Sequence, residues 1–308
     1  MKCPRCQTEN YEGANFCTAC GCMIPKESRA KKLFMTLLRA LLYVALFMGI
    51  QTAVTFVYSF VLSFSTVSGM LTSGMQEYDA ELFTQELMNA VYHDLHTLML
   101  ISGLITILVL VISFRIRHKD VAEEMHVSKI PLIRAPWCVV LGIALQPVIN
   151  FLLNFLPESL LTDFAETNTL SFATGPIAIE LLNVVILTPI LEELIFRGLA
   201  FTRLRRGMGI TAAILISAVI FGAVHGHPVS FLYASVLGVV QAWIMIKNND
   251  SVIGPILCHA GFNGGSYLLN LVLGESTSTP LYLAVSIASL AMVILSSFMV
   301  FRPIPDKE

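Results

Sequence analysis

Residues 176–199 read PIAIELLNVVILTPILEELIFRGL. The stretch is apolar and long enough to cross a hydrocarbon core, which takes on the order of 20 residues of helix, yet it carries Glu192, Glu193 and Arg197. Charges at bilayer depth are costly and usually mark function. On a helix Glu193 and Arg197 are four apart and can meet as a structural ion pair, while Glu192 points about 100° away. That geometry separates two roles. Glu193 stays ionised and structural, whereas Glu192 is free to meet groups from other helices and to have its proton affinity tuned by burial. Pro189 interrupts the backbone ladder just before the pair, loosening the helix where polar groups or water can enter.

Outward from this stretch, apolar segments of similar length recur over 33–62, 96–116, 136–156, 208–226, 229–246, 251–273 and 281–301, which makes eight helices. The 308-residue chain is 56% hydrophobic and 13% charged, an apolar surplus that one soluble core cannot bury, so an ordinary soluble enzyme is excluded. The expected fold class is an all-α polytopic membrane protein preceded by a small zinc ribbon. A cleaved signal peptide is not expected, because the first apolar run starts after residue 30 and is too long for a signal h-region. Its length allows tilt or an interfacial start around Lys31, Lys32 and Arg39.

Placing the N-terminus in the cytoplasm puts Lys2, Arg5, Lys26, Arg29, Lys31 and Lys32 inside, with Arg115, Arg117, Lys119, Lys129, Arg134, Arg203, Arg205, Arg206, Lys247, Arg302 and Lys307. The outside loops then hold acids alone: Glu77, Asp79, Glu81, Glu86, Asp94, Glu158, Asp163 and Glu166. This satisfies the positive-inside rule and predicts a multi-pass protein of the cell membrane with both termini cytoplasmic. The outside connection 65–95 reads as a solvated acidic loop with an amphipathic turn or two through Leu82, Leu87, Val91 and Leu95. No internal repeat supports a repeat-built transporter.

Cys3-Pro-Arg-Cys6 and Cys17-Thr-Ala-Cys20-Gly21 are two CxxC knuckles at ribbon spacing. Four thiolates on two tight turns suit a tetrahedral zinc, closed to substrate water and therefore structural. Asn10, Gly13, Asn15 and Gly21 suit the turns. So short a segment has little core, and its folding should depend on the metal. Two disulfides are the alternative, which the reducing cytoplasmic side disfavours. Cys22 reads as a spare thiol, and Cys138 and Cys258 as small apolar packing. The ribbon's basic content is only Lys2 and Arg5 and the net charge is −2, so nucleic acid is disfavoured and a protein partner is the better expectation.

Two further motifs lie within apolar segments: Phe221-Gly-Ala-Val-His225 and His259-Ala-Gly-Phe-Asn263. Two Glu, one Arg, two His and one Asn on three apolar helices each need partners, and one shared polar cavity supplies them all. Glu-Glu-x-x-x-Arg, Phe-x-x-x-His and His-x-x-x-Asn, in this order, resemble the motifs of the CPBP family of intramembrane proteases, which includes the type II CAAX prenyl endopeptidases and the bacteriocin-processing and immunity-associated Abi proteins. The resemblance covers roughly 136–273 and leaves out the ribbon and the first two spans. The ribbon resembles the short zinc-ribbon heads of many bacterial membrane proteins.

The resemblance implies hydrolysis of a peptide bond in a membrane cavity, with a membrane-associated peptide or protein as substrate and lipid as surroundings. The catalytic candidates are Glu192 and His225, activating a water, and His259 and Asn263, donating to the oxyanion. A catalytic metal on Glu192, His225 and His259 is the competing mechanism, and the lack of a His-Glu-x-x-His favours the metal-free version. A non-proteolytic scaffold or immunity partner docking through its ribbon is the alternative from another class, and an ion-coupled transporter a third. Domain boundaries are placed at 1–24 for the ribbon, 25–32 for a basic linker, 33–134 for the N-terminal helices, 135–273 for the protease-like core and 274–308 for the last helix and tail. One geometric difficulty remains: counting about 1.5 Å per residue, His225 lies about 28 Å from Arg206, deeper than Glu192 and His259. The expectation that removes it is an interfacial segment over 200–210, with the next helix starting near Thr211.

Overall fold

The computed structural model describes residues 1–11, 14–24, 28–73, 80–172, 176–274 and 279–303. Gly13, residues 25–27 of the linker, Glu77, Asp79 and Lys307 lie outside the described residues. Lipid offers no hydrogen bonds to the backbone, so apolar runs of this length satisfy their own groups by becoming helices. All eight expected segments do so. They are found in α1 (Arg29–Ser73), α3 (Leu95–Ile116), α5 (Ala135–Leu153), a composite rod beginning at α7 (Ile177–Leu181), and the four helices α10 (Ile210–Ala223), α11 (Pro228–Lys247), α12 (Ile253–Leu273) and α13 (Thr279–Phe301). Among the described residues, five helices are long and apolar enough to cross a membrane by length and composition: those at Arg29–Gly69, Leu95–Ile116, Ala135–Leu153, Pro228–Lys247 and Pro280–Phe301. The outer faces of α1 and α13 expose Phe56, Phe60, Phe64, Ile287, Ile294 and Phe298, which is the side-chain set that hydrocarbon, not water, solvates.

The protein is a polytopic all-α membrane protein, and three shorter helices complete it: α2 (Ala80–His93), α4 (Val121–Glu124) and α6 (Glu158–Phe172). The connection 65–95 is therefore mostly helical, not a loop, because α1 runs on to Ser73 and α2 follows. The half-buried side of α2 is formed by Phe83, Leu87 and Val91, with Leu82 exposed. Tyr58 fastens the α1 side by donating to Asp94 Oδ2 at 2.5 Å.

The rod continues from α7 through a π-helix π1 (Leu182–Leu187), α8 (Thr188–Glu193), a second π-helix π2 (Leu194–Phe201) and α9 (Thr202–Met208). Every residue of π2 is buried, because α1 lays Ala40, Val44 and Phe47 into the same apolar cluster as Leu199, Phe201 and Leu204. Within the expected interfacial segment over 200–210, Ala200, Phe201, Thr202 and Leu204 are buried, whereas Arg206 and Ile210 are exposed. The next helix starts at Ile210, as the expected start near Thr211 requires. Gly209, at φ +82, turns the chain at once, and α10 has only 14 residues, about 21 Å of rise. The chain turns back at Gly226, at φ +74, one residue beyond His225.

The tightest helix pair is α5 with α12. A Cβ on Gly142 would stand 1.9 Å from the Cys258 carbonyl oxygen, and one on Gly261 would stand 2.3 Å from that of Val139. With no hydrophobic drive between helices in lipid, such backbone contact supplies the packing. The basic end of the bundle is fastened by polar contacts. Arg203 meets Glu124, Arg205 binds Asp250 through both oxygens at 2.6 and 2.7 Å, and Arg134 donates to the carbonyls of Lys247 and Arg302 at 2.5 Å each.

The N-terminal head is built from two similar turns. After Cys6 and after Cys20 the chain enters the left-handed region, at Gln7 (φ 62) and Gly21 (φ 67). Cys3 N–H then bonds to Thr8 O at 3.0 Å and Cys17 N–H to Cys22 O at 2.8 Å. Antiparallel bridges Lys2 to Glu9 and Phe16 to Met23 flank the turns.

Candidate active site

Glu193 and Arg197, one turn apart on α8 and π2, are fully buried and lie with Arg197 Nε 3.2 Å from Glu193 Oε2. The pair predicted by spacing is present, and it is an ion pair by distance without hydrogen-bond alignment: Arg197 Nε, Nη1 and Nη2 have no hydrogen-bond partner among the described residues. A second contact supports the guanidinium, whose Cζ stands 4.1 Å from the centre of the Phe221 ring in cation–π geometry.

The other oxygen of Glu193 serves a different helix. His259, on α12, directs Nδ1 at Glu193 Oε1 at 2.9 Å. A carboxylate accepts, so Nδ1 carries the hydrogen, and Nε2 is turned toward Glu192, 3.8 Å from its Oε2. Glu193 therefore links Arg197 to His259 and does more than pair with Arg197. Glu192, one position earlier on the rod, has its side chain 14% exposed, against none for Glu193. Its Oε2 has no hydrogen-bond partner among the described residues.

Phe221 is the floor of this arrangement. Its ring meets Phe196 at 5.0 Å, His225 at 4.9 Å and His259 at 5.8 Å between centroids, all edge to face. His225 ends the α10 turn with Nδ1 2.7 Å from the Phe221 carbonyl. That oxygen only accepts, so Nδ1 donates and Nε2 keeps the lone pair.

Asn263, on α12, is engaged with the rod. It gives its Nδ2 to the Val184 carbonyl at 2.8 Å. In the i to i−5 register of a π-helix, a nitrogen at position 189 would serve that carbonyl, and Pro189 has no hydrogen to give. Asn263 thus occupies the opening that the proline leaves, which fits the loosening expected there.

Sequence reading missed several polar neighbours. Tyr233 on α11 packs against His225 at 6.4 Å and Phe262 at 6.1 Å, and no local pattern marks it. Tyr267 donates to the buried Glu180 at 2.6 Å; continuing the His259 and Asn263 face by four more residues would have found it. Asn183 lies 3.5 Å from His96. On the α6 side, Asp163 Oδ2 meets His227 Nε2 at 3.0 Å and Phe164 meets the same ring at 5.2 Å.

Among the described residues, one group of ligand-type side chains gathers closely enough for a metal: Cys3, Cys6, Cys17 and Cys20, whose sulfurs lie within 4.8 Å of one another. Glu192, His225 and His259 do not form such a group among the described residues. The cysteine set fits a metal on independent grounds. Arg5 and Cys6 N–H groups point at Cys3 Sγ at 3.4 Å, while Cys17 Sγ receives Ala19 N–H at 3.4 Å and Asn10 Nδ2 at 3.6 Å; donors so placed stabilise thiolates. Burial pushes the Cys3 thiol up, but the N–H bonds from Cys6 and Arg5 and the contacts with Cys22 and Cys6 bring it down to about 6.

Residues 174–265 match the family model described as type II CAAX prenyl endopeptidase Rce1-like. The match encloses Glu192, Glu193, Arg197, Phe221, His225, His259 and Asn263 and starts later than the 136–273 expected from the motifs. No curated protein and no solved structure matches the chain.

Proposed function

On the premise that residues 174–265 belong to the type II CAAX prenyl endopeptidase Rce1-like family, we propose that this protein is an intramembrane endopeptidase that hydrolyses a peptide bond of a membrane-associated peptide or protein, with Glu192 as general base. The observation that carries the proposal is the asymmetry of the two carboxylates. Glu193 is fully buried, with Oε1 bonded to His259 and Oε2 3.2 Å from Arg197 Nε, whereas Glu192 keeps 14% of its side chain exposed and meets only His259 Nε2, at 3.8 Å from its Oε2.

In this reading Glu192 accepts a proton from a water, and the oxygen attacks the scissile carbonyl carbon, whose π electrons move onto oxygen. The His225 lone pair on Nε2 helps orient the same water. His259, held at Nδ1 by Glu193, donates Nε2–H to the oxyanion when its ring carries both protons. Collapse of the intermediate breaks the C–N bond, and the proton held by Glu192 passes to the leaving amine. Asn263 holds the rod at Val184 with one Nδ2 hydrogen and offers the other to the oxyanion.

Zinc is the metal proposed for Cys3, Cys6, Cys17 and Cys20, where it would cross-link the two turns and take no part in hydrolysis. The orientation proposed is ribbon and tail in the cytoplasm of a bacterial cell, because Arg134, Arg203, Arg205 and Lys247 share one end of the bundle. The domain boundaries given above are proposed with it. Lipid and the substrate are the implied partners, and a protein docked on the ribbon is a third.

The test is cleavage of a peptide library in proteoliposomes by wild type, Glu192→Ala and His259→Ala, with and without chelator, each variant first shown to be folded. Loss in both variants with no response to chelator is the expected result. Chelator-sensitive cleavage in the membrane core would replace this mechanism by a metal-dependent one, and full activity of Glu192→Ala would remove Glu192 from the chemistry.

A further inference from the structure

The head holds a fifth cysteine that a four-ligand site does not use. The two turns superpose in their bonding: Cys3 N–H to Thr8 O in one, Cys17 N–H to Cys22 O in the other. Cys22 therefore stands where the first turn has Thr8. Thr8 uses its hydroxyl locally, accepting from Cys6 Sγ at 3.2 Å. Cys22 instead reaches across the cluster, and its Sγ lies 3.1 Å from Cys3 Sγ, closer than Cys3 to Cys20 at 3.6 Å or Cys6 to Cys17 at 3.5 Å. The position is half-buried, on the surface side of the buried Cys3 and Cys17.

We propose that Cys22 is an oxidation site: a hydroperoxide joins it to Cys3 as a disulfide and thereby unloads the metal from the ribbon. The proposal rests on reading Cys3, Cys6, Cys17 and Cys20 as a metal site. Peroxide converts one thiol of the pair to a sulfenic acid and leaves as water. The second thiol attacks that sulfur, the S–O bond breaks, the S–S bond forms and a second water departs. Two thiols are oxidised by two electrons and one peroxide is reduced. The sulfurs need to close by about 1 Å to reach a bond of about 2.05 Å, a shift that a turn with little apolar core accommodates. Once Cys3 is bonded to Cys22, three thiolates remain for the metal, and a site built on four loses its hold.

The position in the fold explains why Cys22 and not a ligand carries the reaction. Thiols bound to a metal are shielded from oxidation by sharing their electron pairs, whereas Cys22 has no coordination to lose. A threonine there would complete the symmetry of the two turns and abolish the chemistry.

The full chain, purified in detergent and loaded with zinc, is titrated with hydrogen peroxide while zinc release is followed with a chromogenic chelator and disulfides are mapped by mass spectrometry after alkylation. Wild type is expected to form the Cys3–Cys22 disulfide in step with zinc release. Cys22→Thr is expected to load zinc normally and to need about tenfold more peroxide for the same release; Cys22→Ala serves as a second variant with the same expectation. A disulfide mapped to another pair, or release from both variants at wild-type peroxide, overturns the proposal. Failure of both variants to load zinc, while wild type does, also overturns it by making Cys22 a ligand. If wild type binds no metal, the metal reading fails, and the disulfide map alone decides whether Cys22 and Cys3 form the oxidised pair.

Discussion

In the ribbon, four sulfurs of one kind lie within 4.8 Å of one another, and the buried residues around them are few: Ala14, Ile24 and the cysteines themselves. Among the helices, the charged groups are of different kinds and are enclosed by Phe196, Phe221 and the helices that carry them. The head has almost nothing else to hold it, so the cluster there makes the fold. Among the helices the fold makes the cluster, because α8, π2 and α10 are positioned by apolar packing that reaches the charges, with the Phe221 ring 4.1 Å from the Arg197 Cζ. A site that makes its fold is symmetric and closed. A site made by its fold can afford two carboxylates in unequal surroundings, and that inequality is what chemistry requires.

The comparison is broken most directly at Glu192. Glu192→Gln is expected to lower cleavage by about 10²–10⁴-fold with the unfolding temperature unchanged, measured by product formation and by thermal unfolding in the same detergent. Glu193→Gln should do the opposite in emphasis. It leaves the Arg197 charge buried without its counter-ion, a loss of about 3–5 kcal/mol of stability, visible as a lower unfolding temperature; cleavage falls as well because His259 loses the partner on Nδ1. Equal stability of the two variants would erase the distinction between the carboxylates.

The ribbon responds to a different agent. Chelator is expected to expose residues 1–24 to limited proteolysis while the helical bundle unfolds at its usual temperature. A fall in the unfolding temperature of the bundle would show that the head supports the core. The smallest effect is expected at the basic end. Burial raises the Glu124 carboxyl, but the hydrogen bond from Lys119 and the charge of Arg203 outweigh it and hold it below the usual carboxylate range. A depressed carboxyl contributes stability above its unfolded value and loses it as pH falls through the folded value. Wild type should therefore lose stability on acidification below the usual carboxylate range, and Glu124→Gln should show a shallower loss there, read from unfolding temperatures between about pH 6 and pH 3, a window that brackets the ordinary carboxylate values.

Much of this was legible in the residues, for identifiable reasons. Spans were read from the lengths of apolar runs, and the Glu193–Arg197 contact from the spacing of four, because both depend on helix geometry alone. The cysteine cluster was readable because two CxxC turns fix their own sulfurs. What escaped depends on packing between helices. Nothing local shows that Ala200, Phe201 and Leu204 are core, since they are buried in one cluster with Ala40, Val44 and Phe47 of α1, which is distant in sequence. Asn263 has the composition of an oxyanion donor, and only the π register before Pro189 reveals the carbonyl it serves. Tyr233 enters the site because α10 and α11 reverse at Gly226, at φ +74, and a lone tyrosine in an apolar run carries no such signal.

The central claim is that Glu192, and not its neighbour, performs the chemistry. The most direct measurement compares wild type and Glu192→Gln at equal unfolding temperature in proteoliposomes, with peptide products identified by mass spectrometry. Products from wild type that vanish with Glu192→Gln are the predicted result. The same products formed at the same rate by Glu192→Gln would contradict the account.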